Sequence, residues 1–476
     1  MMRCLPLAAL LALAACAPPP DDGPLVASVI GESPRIVDPS QKPLAPASAL
    51  LLATTAQGLV RFDAAGQIEL GLAIRWDVSD DGLYYTFRIT DTDAIDAEQA
   101  ARWLRAAIGP TSRNPLKPVL GAVAEIVAVT PEVIEIRLAS PRPDLLPLLA
   151  QPELAILARG AGTGPFRIAD RAGGAMLLSP TDPRLAEAEP AALARAQVRL
   201  RIERAASAVA RFAAGRSAIV LGGRFADLAI ARAAGPPADA LHIDPTNGLF
   251  GFAVTRRGGF VGVADNRRAL SMAIDRNRLA AVFGAGWRPI ATLVPLALTD
   301  RPAPATPDWI DTALDQRRAL ARETVAGWTA ASGEAPVVRV AVPPGPGGRM
   351  LFRLVAADWA AIGVGATRAG DGEEADLTLL DAVAPGDSAS WYLRRFECVR
   401  SIACSLEADT ALDAARTAPT LVERAAHLAD ADARLAEISA FIPLAAPLRW
   451  SLVSRRLPAF QDNRRAAHPL DQLRAE

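Results

Sequence analysis

The sequence predicts an α/β protein built from more than one domain, and three observations carry that expectation. Residues 58–89 and 124–138 alternate apolar and polar side chains between turn residues, the pattern of antiparallel strands. Residues 337–380 read strand, glycine-rich loop, helix, strand, which makes a βαβ unit and a partly parallel sheet. The chain has 476 residues and is 51% apolar, more than one ordinary core accommodates, so two or three domains are expected.

The first residues form an export signal. Arg3 supplies a positive start, Leu5 to Leu13 a short apolar core, and Leu13-Ala14-Ala15 small residues ahead of Cys16. A core of roughly ten residues is too short to span a bilayer, which needs about 20. Leu-Ala-Ala-Cys resembles the bacterial lipobox, which implies cleavage after Ala15, lipid on Cys16 and a tether over 17–24. Ala17 lacks the Asp that often marks inner-membrane retention, which leans outward without resolving which membrane holds the lipid. No later stretch reads as a transmembrane helix.

The elements follow in order. Gly58–Asp63 is a strand that turns at Ala64-Ala65-Gly66, and Asp80-Asp81-Gly82 is a second turn before a strand over 83–89. Asp96 caps a helix through about Ile108, with Gln99 at the reciprocal capping position and Gly109-Pro110 as the stop. Strands are expected near 124–129 and 133–138, and a short apolar helix within the proline-rich run 141–152. Asp265 is expected to cap one helix to about Phe283, ended by Gly284. Beyond it come a strand at Val337–Val342, a loop at Pro343–Gly348, a helix at Arg349–Ile362 and a strand at Ala375–Leu380. A helix over 420–438 and a strand over Ile442–Val453 complete the chain.

Composition and motifs exclude several functions. A formal net charge of −1 gives no basic surplus for nucleic acid. Of the 51 basic residues only Lys42 and Lys117 are lysine, a bias that reads as genome composition because the arginines are scattered. Cys4 leaves with the signal and Cys16 carries lipid, so Cys398 and Cys404, six positions apart, are the candidates for a loop-closing disulfide in an oxidising compartment. His242, His427 and His468 lack zinc-ligand spacing to them. Asp91-Thr92-Asp93 begins like a calcium loop, but Asp96 and Arg102 stand where glycine and glutamate belong. The Gly345–Gly348 loop lacks both P-loop and dinucleotide-fold spacing and reads as surface. No Gly-x-Ser-x-Gly, no His-Glu-x-x-His and no Ser/His/Asp set is present, so an exported hydrolase finds no nucleophile and base, and the chain is expected not to be an enzyme.

Several stretches then line up in one order. Gln57–Gly66 precedes Gly71–Arg88, which contains Trp76 and Ser79-Asp80-Asp81-Gly82-Leu83-Tyr84-Tyr85-Thr86-Phe87. Gly162-Thr163-Gly164-Pro165-Phe166 follows, then Asp265–Arg276 with Ala273-Ile274-Asp275-Arg276, then Gly284-Ala285-Gly286. Gly162 and Gly164 allow turns that a side chain would block. This set resembles the extracytoplasmic solute-binding proteins, family 5, that feed peptide and nickel ABC importers. The resemblance implies a two-lobed periplasmic-binding-protein-like fold (type II), with an extra α+β subdomain on the first lobe. Mapped here, 25–48, 161–250 and 441–476 form lobe I, 49–160 the extra subdomain and 251–440 lobe II. It also implies a peptide or similar small solute between the lobes, hinge closure, an ABC permease and ATPase as partners, no cofactor and no metal, and a monomer held in the periplasm by lipid at Cys16.

The sequence departs from the family where lobe II reads Ala375–Asp387. The tryptophan of peptide-binding relatives appears as Ala382, and the aspartate that holds a peptide's amino terminus falls at Pro385 or in a one-residue gap. The Phe-x-Asp-Gly turn usual after Arg88 is missing from 89–96. Asp387, and Asp381 close by, are the candidate partners of a cationic ligand. Trp391 and Tyr392 offer aromatic faces, and Asn247 and Phe250 lie at the expected lobe boundary. These six are the candidate ligand contacts. The departure also motivates an alternative, the same fold used as a sensor or adaptor without transport, which a cleft filled by the protein's own side chains would favour.

Overall fold

The computed structural model describes residues 23–90, 95–158, 161–296, 298, 300, 303–370 and 372–474. The export signal, Cys16, most of the tether and Asp91–Asp93 lie outside the described residues. Among the described residues, no helix is long and apolar enough to cross a membrane.

Two large sheets dominate. The first has seven strands in the order 166–172, 175–180, 198–203, 25–30, 219–224, 449–453 and 241–243. Its central strand Leu25–Ile30 runs parallel to both Val198–Glu203 and Ile219–Arg224. The second has five strands in the order 365–368, 337–341, 377–383, 248–254 and 441–445. Here the expected βαβ unit is present: Val337–Ala341 pairs in parallel with Leu377–Val383. A third, four-stranded antiparallel sheet (73–78, 84–89, 133–138 and 123–130) belongs to a separate unit with its own core, covered by the helix Ala97–Ile108. That helix starts as its sequence requires, because the Asp96 carboxylate accepts the Gln99 amide at 2.7 Å.

The structure corrects two expectations about elements. The helix expected over 265–283 is two helices, Ala264–Ala273 and Arg276–Phe283. Asp265 sits in the first turn, whereas Asp275 caps the second helix by accepting the Arg278 amide at 2.9 Å. The break is fixed from outside, since the Asp358 carboxylate takes the Asp275 N–H and the Arg278 guanidinium. The single strand expected over 442–453 is likewise two strands, Phe441–Ala445 and Arg449–Val453, lying in different sheets.

This second break shows how the sheets are joined. The chain leaves the first sheet after Leu241–Ile243 and enters the second at Gly248, then returns through 446–448. The two crossings lie side by side: Asp244 N–H donates to the Arg449 carbonyl at 3.1 Å, and the Thr246 hydroxyl donates to the Pro447 carbonyl. An aromatic cluster continues the core across the junction, with Phe225 edge-on to Phe250 at 4.8 Å and Trp287 stacked on Phe283 at 4.2 Å.

Glycines mark where backbones touch. A Cβ at Gly162 would lie 1.6 Å from the Thr55 carbonyl oxygen, so close approach to the helix Pro46–Thr55, rather than a turn, requires glycine there. The Gly345–Gly348 stretch, expected at the surface, instead opens the helix Pro346–Ala360 against the first-sheet unit. Gly347 N–H donates to the Ala226 carbonyl at 2.9 Å, and a Cβ on Gly347 would meet the Phe225 oxygen at 2.2 Å.

Candidate binding site

A cavity of about 480 Å³ opens between the two sheets and the third unit. Its floor is made by the carboxyl ends of strands: Val29 and Ile30, Leu221, Gly222 and Arg224, and Asp381–Val383 from the second sheet. Strand carboxyl ends converge here because parallel strands point their termini the same way, the usual place for a ligand in α/β proteins. Helix Pro46–Thr55 and residues Gln57, Gly58, Arg61 and Phe62 form one wall, Ala150–Glu153 another, and Arg465–Pro469 the rim. The volume lies in the range of small-molecule sites, roughly 300–1,000 Å³.

Most charged groups lining the cavity are matched within the protein. Arg449 meets Asp381 at 2.7 Å and also donates to the Asp381 carbonyl at 3.2 Å. Arg61 pairs with Glu69 and Asp471. Arg465, on the rim, meets Asp387 at 2.8 Å and the Ala384 carbonyl at 3.3 Å. His468 lies 3.1 Å from Asp244. Arg224 and Glu153 differ: among the described residues neither side chain forms an ion pair or a hydrogen bond to another residue. Burial pulls the Arg224 guanidinium below its ordinary value and the nearby Arg449 adds to this, with the carboxylates of Asp381 and Asp227 opposing from a distance. Burial pushes the Glu153 carboxyl up, with only its own backbone amide opposing.

Of the six expected ligand contacts, the cavity includes Asp381 alone. Asp387 is 47% exposed and bound to Arg465 on the rim. Trp391 and Tyr392 are buried on the short helix Ala389–Leu393, ring against ring at 4.9 Å, with the Arg395 guanidinium over Trp391. The Tyr392 hydroxyl is buried without a hydrogen-bond partner among the described residues, and burial raises its pKa. Asn247 lies at the sheet crossing, where its carbonyl accepts the Ala384 amide at 2.9 Å. Phe250 is 1% exposed, within the aromatic cluster. Cys398 and Cys404 are joined by a disulfide ahead of the helix Leu406–Thr417. Arg276 is buried and donates to the Pro443 and Ile290 carbonyls, all within the second-sheet unit.

Sequence reasoning missed Arg224, Glu153 and Arg449. Each carried a signal, a lone charge in an apolar run: Leu145–Ile156 around Glu153, Ile219–Phe225 around Arg224, and Phe441–Val453 around Arg449. The altered 382–385 stretch also has a visible role. Ala382 lines the cavity, and the Pro385 carbonyl accepts the Gln151 side chain at 2.8 Å, which ties the third unit to the second. A further tie is made by Ser140 and Arg142, which both donate at 2.8 Å to the Arg416 carbonyl near the end of the helix Leu406–Thr417. Among the described residues no group of His, Cys, Asp and Glu is arranged to hold a metal ion.

Comparison with known proteins agrees with this architecture. The murein tripeptide binding protein MppA of Escherichia coli superposes with a TM-score of 0.81 at 18% identity, over 94% of this chain and 98% of that one. Its unliganded open form gives 0.63 at 19% identity, over 95% and 96%. Haemophilus influenzae OppA, in complex with RPPGFSPFR, gives 0.78 at 16% identity, over 94% and 98%. A search of curated protein sequences finds no match. The family model for bacterial extracellular solute-binding proteins, family 5 (middle), matches residues 67–376, well over half of the chain. The chain is therefore a member of the bacterial extracellular solute-binding proteins of family 5, with the two-lobed fold of that family.

Proposed function

We propose that this protein is the lipid-anchored receptor of an ABC importer, capturing a peptide or similar small solute between two lobes and delivering it to a membrane permease. The observation that carries this reading is the cavity of about 480 Å³ between two sheets linked by paired chain crossings at 244–247 and 446–448. Neighbouring structures hold peptides in this fold, OppA of H. influenzae among them. The cavity is open rather than filled by the protein's own side chains, which disfavours a sensor that has lost its ligand.

In this reading the lobes are built from 25–48, 161–250 and 441–476 on one side and 251–440 on the other, with 49–160 as the extra subdomain. The crossings act as the hinge, and closure presents a loaded surface to the permease. Contacts between the units support a closed arrangement here: Gly347 on Ala226, Arg465 on Asp387 and Gln151 on Pro385. The lower TM-score against the open form of MppA is in keeping with it. Lipid on Cys16 would hold this receptor at a membrane facing the periplasm. Native mass spectrometry of the purified full chain tests the proposal. A small molecule retained at one per chain is expected; a chain that retains nothing and binds nothing from a peptide hydrolysate would overturn it. Cys16→Ala should release the protein from the membrane fraction.

A further inference from the structure

The ionisable groups around the cavity divide sharply. Five have direct polar partners within the protein: Arg61, Asp381, Arg449, Arg465 and His468. Two are not, and they carry opposite charges on different walls. Glu153 comes from the turn Pro152–Leu154 of the extra subdomain, and Arg224 from the carboxyl end of a strand in the first sheet. Removing a charge from water without a partner is expensive, so an interior pairs its charges unless something else supplies the counter-charge. Among the described residues neither is met by a counter-ion in direct contact: Asp381 and Asp227 act on Arg224 only from a distance, and no basic group offsets Glu153, although five neighbours in the same cavity are directly matched. The remaining walls are largely aliphatic, including Ile30, Leu50, Leu221 and Pro152.

Resting on the reading of the cavity as the solute site, we propose that Glu153 and Arg224 are its two charged anchors and that the solute is a small zwitterion. Its ammonium or other cationic group meets Glu153, and its carboxylate meets Arg224. A guanidinium offers a planar fork that matches a carboxylate with two parallel hydrogen bonds. The carboxylate of Glu153 accepts from an ammonium in the same charge-assisted way. The apolar walls between them suit an aliphatic body. Asp381 is not the cationic subsite, because Arg449 already occupies it from the protein side.

The experiment challenges the full chain, after unfolding and refolding to strip bound solute, with three probes: a low-mass casein hydrolysate, the same hydrolysate N-acetylated, and the same hydrolysate with its carboxyl groups amidated. Native mass spectrometry reads what is retained. The free hydrolysate should be retained, and each blocked form at least ten-fold less. Glu153→Gln should erase the preference for free over acetylated peptides, and Arg224→Gln the preference for free over amidated ones. Arg224→Lys should restore part of the latter, which a merely structural role would not do. Equal retention of blocked and free forms, or unchanged discrimination in both variants, overturns the anchors. If no hydrolysate component is retained, the molecule that copurifies with the unstripped chain decides. One lacking either charge overturns the zwitterion and leaves the binding function standing, whereas no copurifying molecule at all overturns both. A copurifying non-peptide zwitterion whose retention falls in both variants supports the anchors.

Discussion

Gly347→Ala separates the stability of one lobe from the contact between lobes. Gly347 lies in the first turn of the helix Pro346–Ala360, where alanine alone would favour the helix by up to about 1 kcal/mol. The added Cβ, however, would sit 2.2 Å from the Phe225 carbonyl oxygen and 2.8 Å from the Ala226 Cα. Both are backbone atoms of the other lobe and cannot rotate aside, so the contact must open by most of an ångström. Overpacking of this kind costs about 1–3 kcal/mol. If the contact belongs to the closed form, the cost falls on closure and weakens solute binding roughly 5- to 140-fold. Gly327→Ala is the control: it lies within the helix Leu314–Ser332 with no atom within 4 Å of its Cβ, so it should stabilise slightly and leave binding unchanged. Titration calorimetry with a retained solute gives the affinity, small-angle scattering gives the compactness of the loaded form, and thermal melting gives the stability. A Gly347→Ala chain with the parent's affinity and the parent's compactness would refute the reasoning.

Four further outcomes are expected. Because burial raises the Glu153 carboxyl, the folded state binds its proton more tightly than the unfolded one, so this group costs stability as pH rises above about 4.5, its ordinary value. Glu153→Gln should therefore melt higher than the parent at neutral pH, and the difference should vanish below that value; solute-free melting curves across pH check it. Asp381→Asn leaves Arg449 half-buried without its anion and should lower stability by roughly 3 kcal/mol in denaturant titration. Arg142→Met removes a guanidinium, still a cation with its pKa pulled down to about 10, from the carbonyls of Ala415 and Arg416, and should weaken that docking by roughly 2 kcal/mol. Amide exchange in residues 413–417 reports it. Reducing the Cys398–Cys404 disulfide frees a short loop and should cost roughly 2 kcal/mol, read as a lower melting temperature with a thiol reductant.

What the sequence disclosed follows the range of the interactions. The helix Ala97–Ile108 was legible because its cap is local, Asp96 to Gln99. The βαβ unit was legible because strand, loop and helix alternate along the chain itself. The break at Ile274 was not, since Asp358, more than eighty residues away, holds the Asp275 amide and ties down Arg278 and Arg318. Nor was the division of 441–453 between two sheets, because an unbroken apolar run looks the same whichever sheet receives it. The cavity shows the same limit. A lone Glu153 or Arg224 in an apolar run is visible, but whether it meets a counter-ion depends on elements far along the chain. Trp391 and Tyr392 illustrate the converse, aromatic rings whose exposure only packing decides.

The central claim is that a small solute is held between the lobes, against the strand ends that carry Ile30, Arg224 and Asp381. A crystal structure of the chain purified with its copurifying molecule tests it most directly. The account predicts density for that molecule in this cavity, within hydrogen-bond distance of Arg224 and Glu153. Density at another place on the molecule, with the cavity holding only water and both side chains solvated, would contradict it.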